Sequence, residues 1–242
     1  MSIALCMILY NCLVYFFLLA GVMLSIITRK LTVSAALLGG IVGLLVFEGG
    51  GYTGLIMLAL FFILGSGATG IGLKKKQALG AADENKGRRT VGQVMANGGV
   101  AALLGAIAWC KPETAHIVQL MIAGSLASAT ADTLSSELGT LLGRRFYNII
   151  TLKKDQPGLD GVVSIEGTLT GVAGAAIIAG VYSIGHGWNS ELLWIILAGV
   201  IGNLADSILG ATAERKHLIG NNLVNFLNTL TGALVCLLLF LI

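Results

Sequence analysis

What this chain can fold into is limited first by its long apolar runs, each of roughly helix-spanning length, about 17 to 25 residues. Lipid offers no water to an open backbone N–H or C=O, so a segment crossing a bilayer is either a helix or a strand of a closed barrel. A barrel strand would alternate apolar and polar residues over about ten positions. These runs do not alternate, so helices are expected. Eight are read as spans: 3–27, 31–47, 52–72, 92–109, 114–142, 163–184, 190–212 and 222–242. The expected fold is all-α: a polytopic membrane helix bundle of about eight transmembrane helices, forming a single integral-membrane domain over 1–242. Composition agrees, with 56% hydrophobic and 11% charged residues and a mean hydropathy of +0.89, against about 25% charged in soluble domains. The first run has no basic residue ahead of it and no small-residue cleavage site, so it reads as a span rather than a removable signal. The longest polar stretch, about 74–91, is too short to bury a core of its own.

The basic residues orient the bundle. Arg29 and Lys30 lie between the first two runs, and Lys74, Lys75, Lys76, Lys86, Arg88 and Arg89 between the third and fourth. Arg144, Arg145, Lys153 and Lys154 lie between the fifth and sixth, and Arg215 and Lys216 follow the seventh. Fourteen of the fifteen Lys and Arg residues therefore sit in alternate loops. The positive-inside rule puts those loops in the cytoplasm and both termini outside. The expected location is the cell membrane, with any site among the basic loops facing the cytoplasm. A net charge of +3 is accounted for by a basic rim against anionic lipid, which makes the bilayer a partner and calls for no nucleic acid. Cys6, Cys12, Cys110 and Cys236 show no paired spacing and read as small core residues. His116, His186 and His217 match no zinc spacing.

A charged side chain inside a span costs about 2.5 to 3.5 kcal/mol on insertion scales, and it normally faces the bundle interior or water. Asp132, Glu137, Glu166 and Asp206 are the candidates, all on the cytoplasmic side and none near a midplane. That argues against a chain of carriers crossing the bilayer, as proton pumps have. At 100° per residue, Asp132 shares a face with Ser128, Ser135, Ser136 and Gly139. Glu137 lies about 140° away on an ideal helix. Both reach one site only if the helix unwinds, which Gly139 and Gly143 would permit, or if the site wraps around the helix end. Asp206 shares a narrow face with Asn203, Gly210 and Ala213. Arg89, Gln93 and Asn97 form one stripe at the start of the fourth span, and Asn221, Asn225, Asn228 and Gly232 a similar one on the eighth. Ser125, Ser128 and Thr130 read as interhelical hydrogen-bonding groups, worth about 0.6 kcal/mol each. Carboxylates are a poor means of holding helices together, so Asp132 and Asp206 read as functional.

Two segments echo each other. Ala131-Asp132-Thr133-Leu134-Ser135-Ser136 resembles Ala205-Asp206-Ser207-Ile208-Leu209-Gly210, each an acid then a hydroxyl near the inner end of an incoming helix. The helix starts around Gln93 to Gly99 and Asn222 to Asn225 are also alike. Repeated hairpins of one orientation are therefore expected, and such repeats commonly frame a central site.

Acids beside a rim of Arg and Lys suit phosphate chemistry. Mg²⁺ takes one or two carboxylates plus substrate phosphate oxygens, and phosphoryl transfer is catalysed largely by positioning and charge neutralisation. Gly65-Ser66-Gly67-Ala68-Thr69-Gly70 formally matches GxGxxG, but it follows no strand and is not read as a dinucleotide site. No Walker loop is present. A polar site above an apolar bundle suits a phosphorylated lipid, handled by an enzyme or, alternatively, by a transporter or flippase.

Three motifs carry a family resemblance. They are Ala131-Asp132-Thr133-Leu134-Ser135-Ser136-Glu137-Leu138-Gly139, Gly161-Val162-Val163-Ser164-Ile165-Glu166-Gly167-Thr168, and Asp206-Ser207-Ile208-Leu209-Gly210-Ala211. Together with Arg89, Gln93, Asn97, Asn222 and Asn225, the sequence from about Arg29 onward resembles the transmembrane protein 19 / phytyl-phosphate kinase family of integral membrane proteins. The resemblance implies a kinase that converts a prenyl (phytyl-like) monophosphate to the diphosphate, with CTP or another nucleoside triphosphate as donor and Mg²⁺ as cofactor. It implies Asp132, Glu137 and Asp206 as catalytic, metal-holding acids. Lys76, Arg89, Gln93, Asn97, Thr133, Ser136, Gly161, Ser164, Glu166, Asn203, Ser207, Asn222, Asn225 and Asn228 would contact substrate or nucleotide. One departure is that the family often has a lysine after the threonine ending the third span, where this chain has Gly70 after Thr69. The expected partners are the lipid phosphate, the nucleotide and the bilayer, and a homo-oligomer is compatible with them.

Overall fold

The structure is a computed structural model that describes residues 3–71 and 88–242, with side chains described from residue 12. It is an all-α membrane bundle. Its helices are α1 (Ile3–Ile27), α2 (Val33–Gly70), α3 (Val91–Cys110), α4 (Ala115–Leu142), α5 (Ile165–His186), α6 (Glu191–Leu209) and α7 (Asn221–Leu241). A π-helical turn, Gly210–Glu214, extends α6. Two short strands, β1 (Tyr147–Asn148) and β2 (Val162–Val163), pair antiparallel in the loop between α4 and α5.

Six helices among the described residues are long and apolar enough to cross a membrane, rather than the eight separate spans expected. The expected spans 31–47 and 52–72 are joined as α2, a single 38-residue element. Helical hydrogen bonding continues through Gly49 and Gly50, and the break falls on Gly51 alone (φ 61°, ψ −158°). A positive φ of this kind is accessible to glycine without a Cβ penalty. The chain folds back there: Lys30 Nζ, just before α2, lies 3.3 Å from Ser66 O near its end. The Phe47 and Tyr52 rings meet across the turn, 5.3 Å apart. The sequence marked the turn correctly; the correction is that one residue makes it, without a loop.

Small residues decide which helix is central. In the middle of α4, Gly124 to Ala131 are all buried. Apart from Leu126 and Thr130 the side chains of this stretch are small, which lets helices approach closely. Accordingly α2, α3, α5, α6 and α7 all pack on α4. In its most apolar stretch 72% of residues are buried, against 28% for α6 with its π turn. Gly139 sits against Gly167 of α5, and Thr170 Oγ1 donates to Leu134 O at 3.2 Å. The unwinding that Gly139 and Gly143 would permit does not occur: α4 is helical through Leu142.

The two ends of the bundle differ. Trp109, Trp188 and Tyr52 are exposed at one end, as expected of an interfacial aromatic belt. The other end gathers Arg88, Arg89, Arg144, Arg145 and Arg215.

Candidate functional site

The basic end of the bundle encloses a polar cavity of about 1070 Å³. Its wall is built from the inner ends of α2, α3, α4, α6 and α7 and from the loop 158–164 that leads into α5. Three local structures set its shape. Thr90 caps α3 through the Gln93 N–H, while the Gln93 side chain accepts from the Thr90 N–H at 2.9 Å, forming a capping box. Ser164 caps α5 through the Gly167 N–H at 3.1 Å. Gly161, at φ 69°, lies against Ala211 in the π turn, where a Cβ would not fit. Arg215 fastens that loop down, donating from Nε to Asp160 O (2.6 Å) and from Nη1 to Asp155 Oδ2 (2.8 Å).

Asp132 and Asp206 come together from α4 and α6, close enough for a hydrogen bond between their carboxyls. Asp206 Oδ2 and Asn97 Oδ1 are buried without a protein partner. A pair of touching carboxyls needs a shared proton or a cation between them. The echo between the two Asp motifs in the sequence therefore has a spatial counterpart. The start of α7 also meets the start of α3, with Asn222 lying against Gly92.

Glu137 lines the same cavity although it leaves α4 on a different side from Asp132, because the cavity wraps around the helix end. Its carboxylate accepts from Thr69 Oγ1 at 2.7 Å. Arg89 stands nearby with its guanidinium 5.1 Å over the Phe61 ring. Burial pulls the Arg89 guanidinium below its ordinary value, and the Glu137 carboxylate opposes that; the side chain stays cationic at neutral pH.

Of the residues expected at the site, Asp132, Glu137, Asp206, Arg89, Gln93, Asn97, Thr133, Ser136, Gly161, Ser164, Asn203, Ser207, Asn222 and Asn225 all line this cavity. Three do not. Lys76 lies outside the described residues. Glu166 is in the first turn of α5, off the cavity wall, with the Arg144 backbone N–H 3.5 Å away; a carboxylate there is favoured by the helix dipole. Asn228 is fully buried and hydrogen-bonded to the Ser128 hydroxyl, so it joins α4 to α7. Ser128 thus has the interhelical role expected of it.

Two acids went unread in the sequence. Asp160 and Glu214 both line the cavity and lie within electrostatic range of Asp206. On an ideal helix Ala213 shares the Asp206 face. The π turn adds a residue to that turn and brings Glu214 round instead. Asp160 sits in an irregular loop between Gly158 and Gly161, both at positive φ, where no periodicity exists to read.

The wall thus carries five acids, Asp132, Glu137, Asp160, Asp206 and Glu214, and one cation, Arg89, among the described residues. No group of three His, Cys, Asp or Glu side chains among the described residues is placed to hold a metal ion by itself. The paired Asp132 and Asp206, with one buried oxygen left open, fit the Mg²⁺ pattern of one or two carboxylates completed by substrate phosphate oxygens. Glu137 is engaged with Thr69.

Residues 16–233 match the family described as Integral membrane protein DUF92. The relatives include the Uncharacterized membrane protein MJ0933 of Methanocaldococcus jannaschii, 37% identical over 190 residues that cover 78% of this chain and 77% of that protein. Protein VTE6, chloroplastic, of Arabidopsis thaliana is 31% identical over 206 residues, 82% of this chain and 62% of its own length. The Uncharacterized membrane protein sll0875 of Synechocystis is 31% identical over 200 residues, 81% of this chain and 78% of its own. This chain therefore spans less than two thirds of the VTE6 protein. No solved structure matches. The family match runs through the Asp132, Glu166 and Asp206 motifs on which the sequence resemblance rests, and the chain belongs to the DUF92 family of multi-pass integral membrane proteins.

Proposed function

We propose that this protein is a membrane-embedded kinase that phosphorylates a prenyl (phytyl-like) monophosphate to the diphosphate, using CTP or another nucleoside triphosphate with Mg²⁺. The observation that carries the reading is the Asp132–Asp206 pair facing a polar cavity beside Arg89. The resemblance to a family that includes the phytyl-phosphate kinase of plants and cyanobacteria supports the choice of substrate, as does the kinship with the VTE6 protein. We place the chain in the cell membrane with the cavity facing the cytoplasm and both termini outside. The two arms of α2 then count separately, giving eight crossings with α1.

In this reading an oxygen of the lipid monophosphate attacks the terminal phosphorus of the nucleotide. The bond to the bridging oxygen breaks and the nucleoside diphosphate leaves. Asp132 and Asp206 would hold Mg²⁺, which when bound would supply charge neutralisation to the phosphates. Without a cation, a wall of five acids would repel a polyphosphate. Arg89, Asn97 and Asn222 offer donors to phosphate oxygens, and the apolar helices beneath accept the isoprenoid tail.

A second reading, a carrier for the same lipid, draws on the buried polar residues Ser125, Ser128 and Asn228 within the bundle. One experiment separates the two: purified protein in sealed vesicles, supplied with a prenyl monophosphate, CTP and Mg²⁺. Nucleotide-dependent formation of the diphosphate supports the kinase. Headgroup movement across the vesicle wall without nucleotide, and no diphosphate, would overturn it in favour of the carrier.

A further inference from the structure

The glycine-rich segment at the end of α2 carries no dinucleotide, yet its spacing is not idle. Phe61, Gly65 and Thr69 recur every fourth residue and so share one face of the inner arm. Each meets the Arg89–Glu137 corner of the cavity. The Phe61 ring lies under the Arg89 guanidinium at 5.1 Å. Gly65 abuts Arg89 Nη2 so closely that a Cβ there would displace it, and the Thr133 methyl lies 3.3 Å from the same point. Thr69 Oγ1 holds Glu137 at 2.7 Å. The Arg89 backbone is pinned as well, with its N–H donating to Lys30 O (2.9 Å) and its carbonyl accepting from Thr32 N (3.1 Å). Both the main chain and the guanidinium of this cation are therefore fixed before any ligand arrives.

We propose that Phe61, Gly65 and Thr69 form a positioning platform that presents the Arg89 guanidinium to the phosphate of the acceptor lipid. The inference rests on the kinase reading for the identity of the ligand. The chemistry favours the lipid phosphate over the nucleotide at this corner. An apolar ring underlies the cation here, as a headgroup at the top of an isoprenoid tail requires. Asp160, Asp206 and Glu214 gather around one another instead, and need a metal-bearing polyphosphate to be neutralised. Preorganised guanidinium lowers the ordering cost of binding. A bulkier residue at 65 would impose that cost again.

The test is equilibrium binding of radiolabelled geranyl monophosphate to the detergent-purified protein in Mg²⁺, with CTP binding measured in parallel. Arg89→Gln and Gly65→Ala are each expected to weaken geranyl monophosphate binding about tenfold, the loss of one charge-assisted contact, and to leave CTP binding within about twofold. Phe61→Leu keeps an apolar contact, loses the cation–π interaction, and is expected to weaken binding about threefold. In an Arg89→Lys background the ammonium has no planar fork to displace, so Gly65→Ala should have no further effect; a merely structural role for Gly65 would persist there. If Gly65→Ala fails to fold, Phe61→Leu carries the same comparison. Geranyl monophosphate binding unchanged by Phe61→Leu and Gly65→Ala overturns the platform, as does equal weakening of CTP. Wild-type binding that responds to these variants without any turnover sinks the kinase reading and leaves the platform standing. No binding by the wild type sinks both.

Discussion

The two ends of the bundle both carry polar clusters, and they are built to different ends. At the end away from the cavity, His116 Nε2 meets Glu191 Oε1 at 3.2 Å, and His186 Nε2 meets Gln119 Oε1 at 3.0 Å. Gln119 Nε2 in turn donates to Gly49 O at 3.0 Å, and the His186 ring stacks on Tyr182 with centroids 4.1 Å apart. These groups spend their valence on one another and tie α4, α5, α6 and the turn of α2 together. At the cavity end, Asp206 Oδ2 and Asn97 Oδ1 are buried and left open, and acids gather that repel each other. Ser125 Oγ, Ser183 Oγ and Asn228 Nδ2 are also buried without a partner inside the bundle, so what sets the cavity end apart is that its open oxygens adjoin gathered acids and a cavity.

The sharpest way to break this contrast is to remove one acid at each end. Asp206→Asn or Asp132→Asn is expected to lower Mg²⁺-dependent phosphoryl transfer by about a thousandfold. Glu191→Gln should leave turnover within about twofold while lowering the thermal midpoint, since it weakens the contacts to His116, Asn189 and Tyr182 far from the cavity. Equal loss of turnover at both ends would erase the distinction. Next in size is the packing that both ends depend on. Gly49 and Gly105 bring the α2 and α3 backbones into contact with no room for a Cβ. Gly105→Val is expected to destabilise the bundle by about 3 kcal/mol or more through overpacking, read as a lowered unfolding midpoint in detergent.

A smaller effect is expected from Asn228→Leu. It removes the Ser128 hydrogen bond and should destabilise by about 1 kcal/mol, with the lipid-phosphate KM unchanged. A raised KM would return Asn228 to the site and blur the line between holding and serving. The smallest effect concerns the clasp over the cavity. The Asp155 carboxyl is held below the ordinary carboxylate range, first by the Gln156 backbone N–H and then by Arg215. A depressed carboxylate contributes its stability above the unfolded value, near about pH 4, and loses it as pH falls through the folded value. The protection of the Ile149 amide against hydrogen exchange, which rests on its donation to Gly161 O across the loop, should therefore fall below about pH 4 once the intrinsic pH dependence of exchange is divided out. Asp155→Asn should flatten that dependence, and an unchanged profile would show that Arg215 does not clasp the loop through Asp155.

Much of the site was legible in the sequence because charge in lipid is expensive. Asp132, Glu137 and Asp206 stand out against their apolar surroundings, and the Arg89-Gln93-Asn97 stripe follows from helical spacing alone. Asn228 misled because an amide stripe looks the same whether its last member faces a cavity or a serine. Glu166 misled because a motif position was taken for a site position, whereas the side chain lies in the first turn of α5 and off the cavity wall. The count of spans differed for a related reason. Gly49, Gly50 and Gly51 all resemble a loop in sequence, and only hydrogen bonding shows that two of them remain helical.

The sequence by itself determined that this chain lives in a bilayer, which end of the bundle is basic, and that Asp132, Glu137 and Asp206 lie at that end. Those properties follow from transfer free energies, which belong to residues one at a time. Only the tertiary structure decided that Asp132 and Asp206 touch, that the site wraps α4 without unwinding it, and that Asp160 and Glu214 join it. Each of these depends on how far one backbone lies from another and on a single added residue in a π turn. Such distances are set by packing among several helices at once, and no single segment of sequence contains them.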